Sequence, residues 1–177
     1  MTDQLKVIIR KRELKKRIKK LAYEISNDYR DKNPVLVGIL KGSFIFMADL
    51  TRELQMPHEI DFISVASYGS GKCASGVVRW LKDLSINIEG KHVIIVEDII
   101  DSGLTLNYIR NNLLTRKPKS LKIVTLLNKR RKRKIKTPLK YVGFPIPDEF
   151  VVGYGLDYDE KYRNLPYIAQ LRNEKNE

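Results

Sequence analysis

Val93-Ile94-Ile95-Val96-Glu97-Asp98-Ile99-Ile100-Asp101-Ser102-Gly103-Leu104-Thr105 decides the fold. The four consecutive apolar residues at 93–96 read as a strand buried on both faces, the habit of a parallel sheet covered by helices. Two adjacent acids follow at the strand's C-terminal end, then a small-residue turn, and Leu104 to Leu114 reads as a helix. That order sets carboxylates beside free backbone N–H groups. Carboxylates accept hydrogen bonds from sugar hydroxyls or coordinate magnesium, whereas turn amides, the Ser102 and Thr105 hydroxyls and the helix dipole favour a phosphate. A sugar phosphate suits both ends. The stretch is not the Gly-x-x-x-x-Gly-Lys-Ser/Thr nucleotide loop, because that spacing and its lysine are missing, and it is not the dinucleotide Gly-x-Gly-x-x-Gly.

The same grammar repeats on either side. Upstream, Val35 to Leu40 reads as a buried strand, and Ser43 to Leu54 as a helix capped by Ser43. Downstream, Leu121 to Leu127 reads as the next strand. Strand, helix, strand order predicts an α/β fold: a central parallel sheet flanked by helices, with its ligand at the C-terminal strand edge. Ile60 to Ala66 and Val77 to Leu81 are two further expected strands, and the Gly- and Ser-rich segment from Ser67 to Gly76 between them is expected to be a flexible lid. Near the N-terminus, Leu14, Ile18, Leu21, Ala22, Ile25 and Tyr29 recur at helical spacing, and that helix is expected to end before Asn33-Pro34. The tail from Tyr141, with three prolines, is expected to form short strands and turns.

Composition sets outer limits. At 177 residues the chain is expected to be a single domain over 1–177, and no apolar run approaches the roughly 20 residues that span a bilayer. The formal net charge of +13 favours an anionic partner without naming one. Lys129 to Lys136 carries seven of the positive charges and reads as a solvated connection. Cys73 is the only cysteine, which rules out an internal disulfide and makes the cytoplasm the expected compartment. His58 and His92 stand alone at strand starts, with no metal-ligand cluster beside them.

On residues 93–105 the chain closely resembles the type I phosphoribosyltransferases. Leu40-Lys41-Gly42-Ser43, Ser67-Tyr68-Gly69 and the run from Phe144 to Tyr158 extend the likeness to the hypoxanthine-guanine branch of that family, over most of Val35 to Arg163. The resemblance implies a small hood built from the chain termini and the transfer of a phosphoribosyl group from 5-phosphoribosyl 1-pyrophosphate to hypoxanthine or guanine, giving IMP or GMP and pyrophosphate in purine salvage. It implies magnesium as cofactor, with Glu97, Asp98 and Asp157 as ligands, and a homodimer or homotetramer.

Its residue assignments are equally specific. Glu97 and Asp98 would hold the ribose 2′ and 3′ hydroxyls, while Asp101, Ser102, Gly103, Leu104 and Thr105 would wrap the 5′-phosphate. Asp101 matches the proposed general base facing the purine N7. Lys41 and Gly42 match the pyrophosphate loop, where the family carries a non-proline cis peptide, and Arg163 matches a further pyrophosphate contact. Ser67 and Tyr68 match the lid over the reacting centre. Lys129 matches the donor to the exocyclic 6-oxygen, Phe150 the ring stacked on the purine, Val151 a backbone contact, and Asp157 a residue near the 2-position. A lysine donor favours a 6-oxo over a 6-amino group.

The chain departs from the pattern in two places. Leu104 stands where the family often has Lys or another polar residue, at a contact made mainly by backbone. The run from Arg130 to Lys136 is more basic than the family's, and Arg130 is an adjacent candidate for the donor role of Lys129. An RNA-binding regulator on the same fold is the alternative that the charge and the basic run at 129–136 suggest, although the sequence lacks a recognised RNA-reading module and that run has no interleaved aromatic residues. A uracil-specific transferase fits less well, because Lys129 and Phe150-Val151 resemble the purine branch.

Overall fold

The computed structural model describes residues 4–67, 78–129 and 138–172. Strand β1 (Gln4–Ile9) leads into α1 (Lys11–Tyr29), whose first turn is closed by the Glu13 carboxylate accepting the Arg10 N–H at 2.9 Å. The expected periodicity is the buried face: Leu14, Ile18, Leu21, Ala22, Ile25 and Tyr29 all point inward, and the helix stops before Asn33-Pro34. Next come β2 (Val35–Leu40), α2 (Phe44–Glu53), β3 (Glu59–Ser67) and β4 (Val78–Lys82). The chain continues with β5 (His92–Ile100), α3 (Leu104–Thr115), β6 (Ser120–Lys129), β7 (Tyr141–Ile146), β8 (Val151–Val152) and β9 (Ile168–Arg172).

Six strands form the central sheet in the order β4-β3-β2-β5-β6-β7, parallel throughout except for β4, which runs antiparallel at one edge. Alternation along each strand assigns side chains to the two faces. Leu36, Ile94, Val96, Val124 and Leu126 pack toward α1 and α2, while Val37, Ile39, Val93, Ile95 and Ile123 pack with Leu106, Ile109 and Leu113 of α3. Both faces are therefore covered, which is why the strands read as continuous apolar runs rather than alternating ones. A second sheet, β1-β9-β8, joins the two ends of the chain in antiparallel register, Gln4 opposite Arg172 and Val151 opposite Gln170. Ile9, Val151 and Ile168 tie this hood to the core cluster that holds α1 and α2.

Three expectations need correction. Strand β5 does not stop at Val96 before the acids; its parallel pairing with β6 continues through Glu97 opposite Thr125 to Ile100 opposite Asn128, so both acids are strand residues. Ser43 does not cap α2 with its side chain, because its buried hydroxyl donates instead to the Ile39 carbonyl at 2.6 Å. Lys129 is not part of a solvated connection: it is the last residue of β6 and only 7% exposed, held down by neighbours on both sides. Arg130 to Lys136 lie outside the described residues. No helix among the described residues is long and apolar enough to cross a membrane.

Candidate active site

Because β2, β3, β5 and β6 are parallel, their C-terminal ends lie along one edge of the sheet. Lys41-Gly42 follows β2, Glu97 to Asp101 close β5, and Lys129 closes β6. That edge is where an open α/β sheet leaves room for a ligand.

The acid pair is the electrostatic centre. Asp98 Oδ1 accepts its neighbour's Ile99 N–H at 2.8 Å, and burial pushes the Asp98 carboxyl up to about 6, against the pull of the Ile99 amide and Arg163. Glu97 is raised well above its ordinary value, first by burial and then by the Asp98 charge. Its Oε2 is buried with no hydrogen-bond partner among the described residues. Two acids held this way are prepared for a ligand that brings hydroxyl donors or positive charge. Beyond them the turn 101–103 passes through Gly103 at φ +80°, a left-handed conformation that suits glycine, and α3 begins. The Ser102 hydroxyl accepts the Leu104 N–H at 3.4 Å. With a glycine as N-cap, no cap side chain covers the start of α3, and the helix N-terminus beyond the Leu104 amide suits an anion.

The loop after β2 is packed tightly onto this pair. The Leu40-Lys41 peptide is cis, and a Cβ placed on Gly42 would fall 1.7 Å from Asp98 Oδ2. Gly155, at φ +101°, closes the other side, where a Cβ would meet the Gly42 carbonyl at 2.0 Å. Only glycine lets the two chain segments and the carboxylate approach so closely. Arg163 bonds the Gly155 carbonyl at 2.8 Å and pairs with Asp157 at 2.9 Å, while its Nε is buried and has no partner among the described residues. Lys41 and Arg163, the two cations expected at a pyrophosphate, meet on one atom, Oε2 of Glu160, at 3.1 and 3.2 Å.

On the far side of Asp101 a cleft of about 370 Å³ is lined by Asp98, Ile99, Asp101, Lys129, Asp148, Glu149, Phe150, Val151, Leu156 and Asp157. Lys129 projects its ammonium between Asp101 Oδ2 and Asp148 Oδ1, 3.8 Å from each. Phe150, 52% exposed, stands edge-on to Tyr158 with ring centroids 5.6 Å apart. An exposed ring held against a second ring contributes apolar aromatic surface to the cleft lining. A buried cation, a neighbouring carboxylate and an aromatic face can together recognise a flat heterocycle that offers a carbonyl and an N–H on one edge.

The expected residues thus fall into connected groups: Glu97, Asp98 and residues 101–105 along one strand and turn, Lys41, Gly42 and Arg163 beside them, and Lys129, Phe150, Val151 and Asp157 across the cleft. Of the expected lid residues, Ser67 ends β3, while Tyr68 lies outside the described residues. Sequence reasoning did not single out Asp148 or Glu160. Asp157, Glu160 and Arg163 at three-residue spacing were the one available signal for Glu160, and nothing local marks Asp148 as a partner of Lys129.

Among the described residues no three His, Cys, Asp or Glu side chains gather into a metal cage. Magnesium binds by one or two carboxylates completed by waters and substrate phosphates, and the buried, unpartnered Glu97 oxygen beside Asp98 is a donor set of that kind. The residues fit the ion.

The family model described as phosphoribosyl transferase domain matches residues 5–159. The chain is 53% identical over 173 residues to the hypoxanthine phosphoribosyltransferase of Salmonella typhimurium, covering 97% of each chain. It is 50% identical over 170 residues to the hypoxanthine-guanine phosphoribosyltransferase of Bacillus subtilis, covering 96% of this chain and 94% of that one. The crystal structure of a hypoxanthine-guanine phosphoribosyltransferase from Bacillus anthracis superposes with a TM-score of 0.91 at 49% identity, over 96% of this chain and 100% of that one.

Proposed function

The chain belongs to the phosphoribosyl transferase domain family, and from that premise we propose that it joins hypoxanthine or guanine to 5-phosphoribosyl 1-pyrophosphate, releasing IMP or GMP and pyrophosphate. It is an enzyme of purine salvage, and residues 1–177 act as one catalytic domain. The observation that carries the reading is the position of Lys129, buried at the end of β6 with its ammonium 3.8 Å from Asp101, in a cleft that also contains Phe150 and Val151. An ammonium donates and cannot accept, so it pairs with a 6-oxo group and rejects a 6-amino group. Asp101, beside it, accepts the proton of N7 as N9 attacks C1′ of the ribose and the bond to pyrophosphate breaks. N7 and the 6-oxygen are neighbours on one edge of the purine, which is the arrangement that a paired carboxylate and ammonium require.

The other residues position and stabilise. Glu97 and Asp98 accept the ribose hydroxyls, and the amides of residues 101–105 with the Ser102 and Thr105 hydroxyls hold the 5′-phosphate. Lys41, the Gly42 backbone and Arg163 take the pyrophosphate oxygens. Phe150 stacks on the base, Val151 contributes backbone, and Asp157 lies toward the 2-position. Glu97 and Asp98 would hold one magnesium together with the substrate, and Asp157 a second, mostly through water; the ions would supply positive charge to the leaving pyrophosphate. Charge stabilisation and orientation, without a covalent enzyme intermediate, are what these side chains offer to an oxocarbenium-like centre. The RNA-binding alternative is not proposed, since the relatives matched over nearly the whole chain are transferases.

The test is nucleotide formation by purified protein with magnesium and phosphoribosyl pyrophosphate, offering hypoxanthine, guanine, xanthine, adenine and uracil in turn, with magnesium omitted as a control. Magnesium-dependent IMP or GMP is the expected product. Product from adenine or uracil alone would overturn the assignment of Lys129.

A further inference from the structure

We propose that Glu160 is a built-in anion that occupies the pyrophosphate subsite and sets its affinity, by holding Lys41 and Arg163 until pyrophosphate displaces it. This rests on the function proposed above and goes beyond it. One carboxylate oxygen, Oε2 of Glu160, receives both cations, Lys41 Nζ at 3.1 Å and Arg163 Nη2 at 3.2 Å. Lys41 lies 119 residues from Glu160 and Arg163 three residues from it, and both reach the same oxygen.

The turn that carries Glu160 is built to hold it there. Asp159, Glu160 and Tyr162 have φ of +51°, +61° and +74°, a left-handed conformation unfavourable for residues with a Cβ. Reciprocal hydrogen bonds between Tyr158 and Lys161 close the turn, and Asp157 Oδ2 accepts the Glu160 N–H at 2.9 Å. Hydrogen bonds from Lys41 first and Arg163 second keep the Glu160 carboxyl below its ordinary value, so it remains an anion at neutral pH. Asp157 and Glu160 together match the two positive charges of Lys41 and Arg163. An incoming diphosphate therefore finds cations already paired, and must break two charge-assisted hydrogen bonds to obtain them.

Such competition weakens ground-state binding of pyrophosphate and favours its release. Glu160 and Lys41 are exposed and only Arg163 is largely buried, so the effect is modest. Calorimetric binding of magnesium pyrophosphate to the full chain tests it, with IMP as a second probe. Glu160→Gln is expected to bind pyrophosphate about threefold to tenfold more tightly than the wild type, with IMP affinity unchanged. Glu160→Asp keeps the charge but is one methylene too short to span both cations, and is expected to tighten binding in the same direction. Asp159→Asn removes a neighbouring exposed charge that pairs with Lys161, and is expected to change nothing.

In steady state, Glu160→Gln should show a lower KM for phosphoribosyl pyrophosphate and stronger inhibition by pyrophosphate. Unchanged or weaker pyrophosphate binding by Glu160→Gln overturns the proposal, as does wild-type binding by Glu160→Asp or an equal gain in Asp159→Asn. A wild-type protein that neither binds pyrophosphate nor forms nucleotide overturns the underlying function, and the proposal with it. Nucleotide formation by the wild type beside an unaltered Glu160→Gln removes the proposal alone.

Discussion

Asp101 lies half-exposed at the turn after β5, with the Lys129 ammonium 3.8 Å from its Oδ2. Replacing it by asparagine preserves shape and removes the ability to accept a proton. Asp101→Asn is expected to lower kcat by about 10²- to 10⁴-fold while binding of phosphoribosyl pyrophosphate is retained, measured by steady-state kinetics and calorimetry side by side. Near-normal turnover would remove Asp101 as the principal base. The place of Asp101 was legible, because Asp101-Ser102-Gly103 and Thr105 follow two adjacent acids in a pattern that suits a phosphate, whereas its role as base was implied by the family likeness. Lys129 was legible only through the family likeness. It opens a run of cations whose other members stand in sequence with equal claim to solvent, and its burial is decided by β6 continuing two residues past the apolar stretch. Glu160 was harder still, since its role depends on Lys41, which is 119 positions away.

Between elements, α1 is fastened to the sheet by Arg17 as well as by its apolar face. The Arg17 guanidinium donates from Nε to the Gly143 carbonyl at 3.0 Å and from Nη2 to the Val142 carbonyl, both on β7, the edge strand. Arg17→Met keeps the aliphatic stem and removes both donors, and is expected to lower stability by about 1 to 3 kcal/mol in urea unfolding while the helix content of the folded protein is unchanged. An unaltered midpoint would mean that water replaces the guanidinium without cost. The elements were well marked in the sequence: apolar strands of two-face burial, a helical stripe on α1 and prolines in the tail gave the order and type of the main pieces. Their ends were not marked. The acids at 97 and 98 look like the start of a turn, but hydrogen bonding to β6 carries the strand past them, because an incoming partner decides where a parallel strand stops. The hydroxyl of Ser43 had two local acceptors or donors to choose from, and the buried end of β2 took it.

At the level of the whole molecule, stability in acid depends on a group remote from the cleft. Asp61, buried at the start of β3, takes the Ser85 and Ile86 amides at 2.6 and 2.9 Å, the Phe62 amide at 2.7 Å and the Lys82 ammonium at 3.2 Å, locking the 83–88 connection and β4 onto β3. Burial raises its carboxyl, but these donors outweigh burial and bring it below the ordinary value. With the folded value depressed, the native state binds the proton less readily than the unfolded chain. The stabilisation is therefore fully present above the unfolded value of about 3.9 and is lost as pH falls through the lower folded value. Asp61→Asn should be less stable than the wild type at pH 7, with the gap closing in that acidic window; a gap independent of pH would show that shape rather than charge does the holding. The pairing of β1 with β9 has a consequence in time. On the ribosome, residues 4–9 emerge well before 168–172 and must wait roughly 8 to 30 s at ordinary elongation speeds before they have that edge to join. Val151 depends on the same late strand for its register. A growing chain can thus complete the strand and turn over residues 93–105 while the segment that carries Phe150 and Val151 is still being translated.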